Sequence, residues 1–480
     1  MNIVLTLRIL GALLLFLSAA LLLPIPFALY YNDGSTSSFL FAAGITFVVG
    51  FLLFKGCRSQ RELSLRDGFA IVSFSWLFYA LFGALPFYLS GAIPSFIDAS
   101  FETLSGFTTT GATILTVVEN LPQSLLLWRA LTHWLGGMGI IVMSLAILPM
   151  LGVGGMQLFK AEVPGPTADR LKPRIQDTAK LLWGVYVFLT AVEVVLLMLG
   201  KMSFFESLCH AFATLATGGF SSRNASVGAY NSAYIDGVIT LFMFLAGVNF
   251  FLHYQALRGR LTEFWKNEEF RIYLGITVGS ILLLMVMNQG SVYNSLLENL
   301  RFSSFQAVSI LTTTGFGTAD YEQWPVLSQY LLVAMMFIGG CAGSTAGGMK
   351  VARILLLFKH AHVQLFRLIH PRAVRLVKLG NRPVNREVMQ SILGFFALYM
   401  GIFVIASFLM AAAGMDLVSA GAAVIATLGN IGPGLGSVGP TDHYGHIAPF
   451  GKGVLMFCML LGRLELFTVL VLFFPTFWRK

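Results

Sequence analysis

The sequence predicts an all-α polytopic membrane protein. Ten transmembrane helices plus four re-entrant half-helices are expected, in four parallel span–half-helix–span repeats about a pseudo-fourfold axis. Three observations predict this. The chain is 56% hydrophobic and only 11% charged, whereas a soluble domain carries about 25% charged residues. Apolar runs of the roughly 20 residues that cross a bilayer recur along its whole length. A Thr/Gly-rich turn returns four times: FTTTGAT at 107–113, LATGGFS at 215–221, LTTTGFG at 311–317 and LGNIGPG at 428–434.

The spans fall near 9–30, 39–54, 69–90, 126–150, 181–200, 232–256, 272–288, 327–358, 388–413 and 452–477. The first run follows a single Arg, like a signal peptide, but it continues to about Tyr30 with no small-residue cleavage site, so an uncleaved span is expected. The longest polar stretch, 359–387, is too short for an attached catalytic domain. With the N-terminus inside, 25 of the 31 Lys and Arg lie on one side. They cluster at 55–66, 160–180, 258–271 and 350–386, with Arg479 and Lys480 at the end. This is the positive-inside pattern. It places both termini in the cytoplasm and accounts for the net charge of +9 without nucleic acid. Asp33, Asp98, Glu102, Glu119, Glu206, Glu298, Asp320, Glu322, Asp416 and Asp442 fall on the other side. Such an outer face concentrates cations. Basic inner loops suit membrane lipids. Cys57, Cys209, Cys341 and Cys458 stand in separate segments, so no disulfide or zinc framework is expected.

Residues 1–66 supply two extra spans. The repeats then occupy 67–170, 171–268, 269–385 and 386–480. Aligned on one glycine, the turns give Gly111, Gly218, Gly315 and Gly432, spaced 107, 97 and 117 residues apart. Two spans per unit keep every turn on the same side of the membrane. The segments before the turns, such as 94–107 and 204–215, are too short to span and suit half-helices dipping in from outside. Non-helical backbone at membrane depth survives only when buried in protein or lining a water-filled cavity. The turns are therefore expected to line a pore.

An inward half-helix aims the negative end of its dipole at the pore centre. Turn carbonyls can replace a cation's hydration shell, and glycine supplies the φ > 0 that successive carbonyls need. The candidate ion-binding residues are Thr109, Thr110 and Gly111; Ala216, Thr217 and Gly218; Thr313, Thr314 and Gly315; and Asn430, Ile431 and Gly432. No carboxylate sits within the turns, which disfavours a divalent cation.

Below the turns, 339–348 carries Gly339, Gly340, Gly343, Gly347 and Gly348, too many for a stable helix. Two helix pieces joined by a gating loop are expected, with Lys350 just past it at the inner face. Arg463 lies about 16 Å into the last span at 1.5 Å per residue. An intramembrane charge is a functional residue by default; here it would be a barrier to cations, compatible with a structural pair with the loop's carbonyls or an acid such as Glu193. Glu465, two positions on, points elsewhere. His133, His210 and His253 are expected in packing roles. GGFSSR and GNIGPGLGSVG follow no strand of a βαβ unit, so neither is a phosphate loop.

With SGFTTTGAT (105–113), WLGGMGI (134–140), GVNFFLHY (247–254), GGCAGSTAGGMK (339–350) and GRLELF (462–467), these turns resemble the Trk/Ktr/HKT superfamily of potassium transporters over essentially the whole chain. Within it, the bacterial TrkH/TrkG membrane subunits are the nearest in pattern. The resemblance implies K⁺ uptake across the bacterial inner membrane, without enzymatic activity. It implies a filter with one shared glycine per repeat, an intramembrane loop at 339–348 and an arginine barrier at Arg463. A glycine at Gly111 goes with K⁺ preference, leaving Rb⁺ and Na⁺ as lesser substrates. The family also implies a homodimer and a cytosolic nucleotide-binding regulatory subunit, TrkA-like. The rival reading is symport of K⁺ with H⁺ or Na⁺. Parallel rather than inverted repeats count against it.

Overall fold

The computed structural model describes residues 2–57, 64–139, 175–373, 375–380 and 382–479. Six helices among them are long and apolar enough to cross a membrane, or eight if each of two sharply bent pairs is one span. Their outward side chains are apolar: Leu199 is 71% exposed, Val286 77% and Phe408 74%. Helices apolar all round belong in lipid. The chain is an all-helical membrane protein, and the one sheet among the described residues is the short antiparallel pairing of Lys378–Leu379 with Arg382–Pro383.

The helices Ile3–Leu21 and Thr36–Gly56 pack closely. A Cβ on Gly11 would fall 2.6 Å from the Phe54 amide nitrogen and 2.7 Å from the Gly50 carbonyl. Small residues allow such backbone contact in lipid, where van der Waals packing supplies the attraction.

Each repeat then opens with a long helix: Leu65–Gly83, Ile175–Leu199, Glu268–Asn288 and Arg386–Ala412. A short helix follows in each: Phe96–Phe107, Phe204–Leu215, Leu296–Leu311 and Leu417–Leu428. The returning helices are Gln123–Trp134, Ala233–Ala246, Val326–Met336 and Pro449–Arg463.

All four returning helices break, where the sequence predicted a break in the third alone. After Trp134 the chain kinks at Gly137. After Ala246 it turns by 104° into Phe250–Leu257, and after Arg463 by 113° into Phe467–Phe473. In the third repeat, residues 337–350 are helix-free before Val351–Ile369. The expected spans 232–256 and 452–477 are thus bent, and 327–358 is two helices. The inner half of 126–150 and the basic cluster at 160–174 lie outside the described residues.

Glycine makes room at these breaks. A Cβ on Gly136 would overlap the Phe107 carbonyl, and one on Gly462 the Leu428 carbonyl. In the first and fourth repeats the break therefore tucks directly under the end of that repeat's own short helix.

Candidate functional site

Three of the four short helices, all but Leu296–Leu311, start with a side-chain cap. Ser95 and Ser203 accept from the amides of Asp98 and Glu206 at 3.3 and 3.2 Å. Asp416 accepts from Val418 and Ser419, both at 3.2 Å. Each cap satisfies orphan amides at a helix N-terminus. Hydrogen bonds from Ser419 hold the Asp416 carboxyl below the usual carboxylate range. The C-terminal ends, negative in dipole, are buried and lead into the turns.

The four turns share one backbone path. A left-handed residue comes first: Thr109 (φ 53°), Thr217 (55°), Thr313 (59°) and Asn430 (53°). The next amide reaches back into the helix, from Thr110 to Ser105, Gly218 to Ala213, Thr314 to Ser309 and Ile431 to Ala426, at 2.8 to 2.9 Å. A left-handed glycine follows: Gly111 (80°), Gly219 (79°), Gly315 (79°) and Gly432 (97°). A β-branched residue at positive φ is strained. Three threonines hold it here, a pattern found at functional sites.

This path corrects the alignment of the second turn. Gly219, rather than Gly218, matches Gly111, Gly315 and Gly432. Ala216 is a helix cap in the right-handed region, equivalent to Thr108, Thr312 and Gly429. In LATGGFS two adjacent glycines left the register open, and the positive φ decides it.

The glycines close a ring. A Cβ on Gly111 would overlap the carbonyl of Gly218, one on Gly219 that of Thr314, and one on Gly315 that of Ile431. A Cβ on Gly432 would fall 2.7 Å from the carbonyl of Thr110. Each repeat meets the next, and the fourth returns to the first. Four backbone carbonyls thus lie against four glycines, a geometry able to replace the water around an alkali cation.

The repeated Thr-Thr-Thr-Gly has a local explanation. The first threonine bonds back to its helix, Thr108 to Leu104 and Thr312 to Val308, both at 2.7 Å. It also lies 2.8 Å from the third hydroxyl, Thr110 or Thr314. The middle threonine takes the left-handed turn. In the fourth repeat Asn430 instead donates to the Thr110 hydroxyl and the Met459 carbonyl, each at 3.0 Å.

The glycine-rich segment lies against these turns. Gly339, Gly343 and Gly348 have φ of 80°, 76° and 70°. Gly347 N–H donates to the Thr313 hydroxyl at 2.6 Å. Gly347 lies so near Gly429 that a Cβ would overlap its carbonyl. Gly340 likewise presses on Gly247, whose carbonyl lies 2.9 Å from where its Cβ would be. The Thr345 hydroxyl donates to the carbonyls of Leu215 at 2.9 Å and Ala246 at 3.2 Å. Glu269 accepts from the amides of Ala342 at 2.7 Å and Ala352 at 3.2 Å, gripping both sides of the loop. The Lys350 ammonium bonds the Ala346 carbonyl. It closes on the loop itself.

Arg463 joins the loop to the first repeat. It donates to Thr345 at 2.8 Å, Gly136 at 2.6 Å and Gly137 at 2.9 Å, all to carbonyls. Glu465 pairs with Arg353 instead. His253 packs, bonding the Leu245 carbonyl at 2.8 Å. His133 does more than pack. Its Nδ1 lies 2.8 Å from the Gly106 carbonyl, and its Nε2 accepts from the Phe220 amide at 3.2 Å. It ties the end of the first short helix to the second turn. Glu102, expected on the outer face, is buried against Arg129. An arginine inside the apolar run QSLLLWRALTHW was the signal for that pair.

Comparisons with known proteins give the family. The family model for TrkH, a cation transport protein, matches residues 36–480. The Trk system potassium uptake protein TrkH of Salmonella typhimurium is 44% identical over 478 residues, 98% of this chain and 99% of that one. The TrkG protein of Escherichia coli K12 is 35% identical over 98% of this chain and 97% of its own. The crystal structure of the potassium transporter TrkH from Vibrio parahaemolyticus superposes with a TM-score of 0.90 at 40% identity, covering 100% of both chains. These relatives are transporters rather than enzymes, and the chain belongs to the TrkH family of cation transport proteins.

Proposed function

We propose that this chain takes up K⁺ across the bacterial inner membrane through one pore per chain. The observation that carries the proposal is the closed ring, in which each repeat's carbonyl abuts the next repeat's glycine. The potassium substrate follows from the relatives, which are potassium uptake proteins. Residues 109–111, 217–219, 313–315 and 430–432 hold the ion, largely through backbone oxygens. Rb⁺ and Na⁺ are lesser substrates.

In this reading the chain has ten spans and four re-entrant half-helices, divided as 1–66, 67–170, 171–268, 269–385 and 386–480. The half-helix dipoles favour a cation at the ring. The 339–348 loop lies across the pore beneath it and is the gate. Arg463 adds positive charge there and holds the loop through Thr345. Lys350 belongs to the same gate through its bond to Ala346. Opening therefore requires release of the bonds at Thr313, Leu215 and Arg463. Both termini are cytoplasmic.

A homodimer and a cytosolic nucleotide-binding regulatory subunit, TrkA-like, complete the proposal. Phe358, Leu365, Leu368 and Ile369 support a partner at the inner face, being 63 to 79% exposed on one basic helix.

Conduction down the electrochemical gradient is tested by ⁸⁶Rb⁺ uptake into K⁺-loaded liposomes holding the purified chain. Uptake driven by the K⁺ gradient alone supports the pore. Uptake that requires a Na⁺ or pH gradient overturns it in favour of symport.

A further inference from the structure

Each short helix carries one buried position nine residues before its ring glycine: Glu102 before Gly111, His210 before Gly219, Gln306 before Gly315 and Ala423 before Gly432. None of the four is more than 1% exposed. In three repeats this side chain reaches the strand that leaves the ring.

Glu102 accepts from the Thr113 hydroxyl at 3.0 Å and the Ile114 amide at 2.9 Å. His210 Nε2 lies 2.9 Å from the Ser221 hydroxyl, and its Nδ1 lies 2.8 Å from the Glu206 carbonyl. A carbonyl only accepts, so Nδ1 carries the proton and Nε2 accepts from Ser221. Gln306 donates to the Ala319 carbonyl at 3.1 Å. Ala423 has nothing to offer. There the Tyr321 hydroxyl donates to Gly434 at 2.8 Å and the Tyr444 hydroxyl to Gly432 at 2.6 Å. Thr113 and Ser221 stand at the same place, two residues past their ring glycines.

Only the first of these struts is a carboxylate, and it is paired. Arg129 Nε lies 2.6 Å from Glu102, with the two side chains 4% and 0% exposed. Arg129 also donates to the Ser221 carbonyl at 2.9 Å and lies 3.7 Å over the Phe220 ring. The pair therefore ties the outgoing strand of the first repeat to that of the second. A buried ion pair is a poor device for stability, because desolvation offsets its attraction. It is a good device for fixing geometry.

We propose that Glu102, held by Arg129, is a specificity-determining positioning residue. A smaller cation needs the ring carbonyls to close in on it. The strut resists that movement at Thr110 and Gly218 by anchoring the strands just beyond Gly111 and Gly219. It thereby sets the preference for a larger over a smaller alkali cation. This rests on the reading of the turns as the ion-selecting ring.

The test measures ⁸⁶Rb⁺ and ²²Na⁺ fluxes in the same liposomes with the full chain. Glu102→Gln is expected to raise the Na⁺:Rb⁺ ratio about tenfold, equivalent to about 1.4 kcal/mol of discrimination. Thr113→Val removes one hydroxyl the strut holds and shifts the ratio the same way by less. Glu102→Asp keeps the charge and restores most of the preference. Glu206→Gln, in the more exposed pair with Arg223, leaves the ratio unchanged, which separates the strut from a general charge effect. Gly315→Ser serves as the reference for the ring. If it alters the ratio while Glu102→Gln and Thr113→Val do not, the strut is overturned and the ring stands. If none of the three alters it, the ring reading itself fails. Should Glu102→Gln not fold, Thr113→Val decides alone.

Discussion

The backbone amide of Gly347 donates a 2.6 Å hydrogen bond to the hydroxyl of Thr313. One residue belongs to the helix-free loop, the other to the left-handed position of the third turn, with φ 59°. Loop and turn are therefore one hydrogen-bonded unit. Moving the loop removes a bond from a strained threonine, so the position of the loop and the geometry of the third turn are linked through this contact.

The loop's seat is tightest at Gly347, where a Cβ would overlap the Gly429 carbonyl. Gly347→Ala should unseat it. Basal ⁸⁶Rb⁺ flux from liposomes should rise about tenfold, the effect of about 1.4 kcal/mol lost from the closed state. Flux at or below the wild-type level would show that the loop does not close the path.

Arg463 donates to three carbonyls on two segments. Hydrogen bonds to charged groups contribute about 1.5–3 kcal/mol each, so Arg463→Ala should raise flux by at least about tenfold in the same assay. Lysine is a point charge without the planar fork. Arg463→Lys should keep a positive charge at this site yet recover only part of the closure. Full recovery by lysine would mean that charge alone matters.

The second turn offers a test of register. Gly219→Ser introduces a side chain at φ 79° toward the Thr314 carbonyl. It should lower Rb⁺ preference over Na⁺ as far as Gly111→Ser does. Ala216→Ser, at the helix cap, should leave the preference unchanged. The opposite ranking would restore Gly218 to the ring position. Flux ratios in mixed-cation liposomes decide it.

The N-terminal pair should be separable from conduction. Gly11→Leu forces a side chain between backbones in contact, and overpacking costs about 1–3 kcal/mol. A lower melting temperature in detergent is expected, with an unchanged Na⁺:Rb⁺ ratio.

Much of this was legible in the chain. Apolar runs predicted the long helices, and four Thr/Gly turns predicted the repeat, because both depend on local composition. Five glycines predicted the helix-free loop for the same reason. The register of LATGGFS was not legible, since only backbone conformation separates Gly218 from Gly219. The breaks after Trp134, Ala246 and Arg463 were missed because one to three glycines in an apolar run usually signal packing. Glu102 looked like an outer acid and His133 like a core histidine. Their partners lie 27 and 87 residues away in sequence, Arg129 for Glu102 and the Phe220 amide for His133. Arg129 inside an apolar run signals that some acid must pair with it, but no local pattern names Glu102 as that acid or the Phe220 amide as the partner of His133.

The most direct test is to see the ion. Crystals of the protein grown in Rb⁺ should show anomalous density on the axis, ringed by the carbonyls of Thr110, Gly218, Thr314 and Ile431. Replacing Rb⁺ with Na⁺ should abolish that ordered peak. Rb⁺ density elsewhere in the chain, with none inside this ring, would contradict the assignment of the four turns as the ion-selecting site.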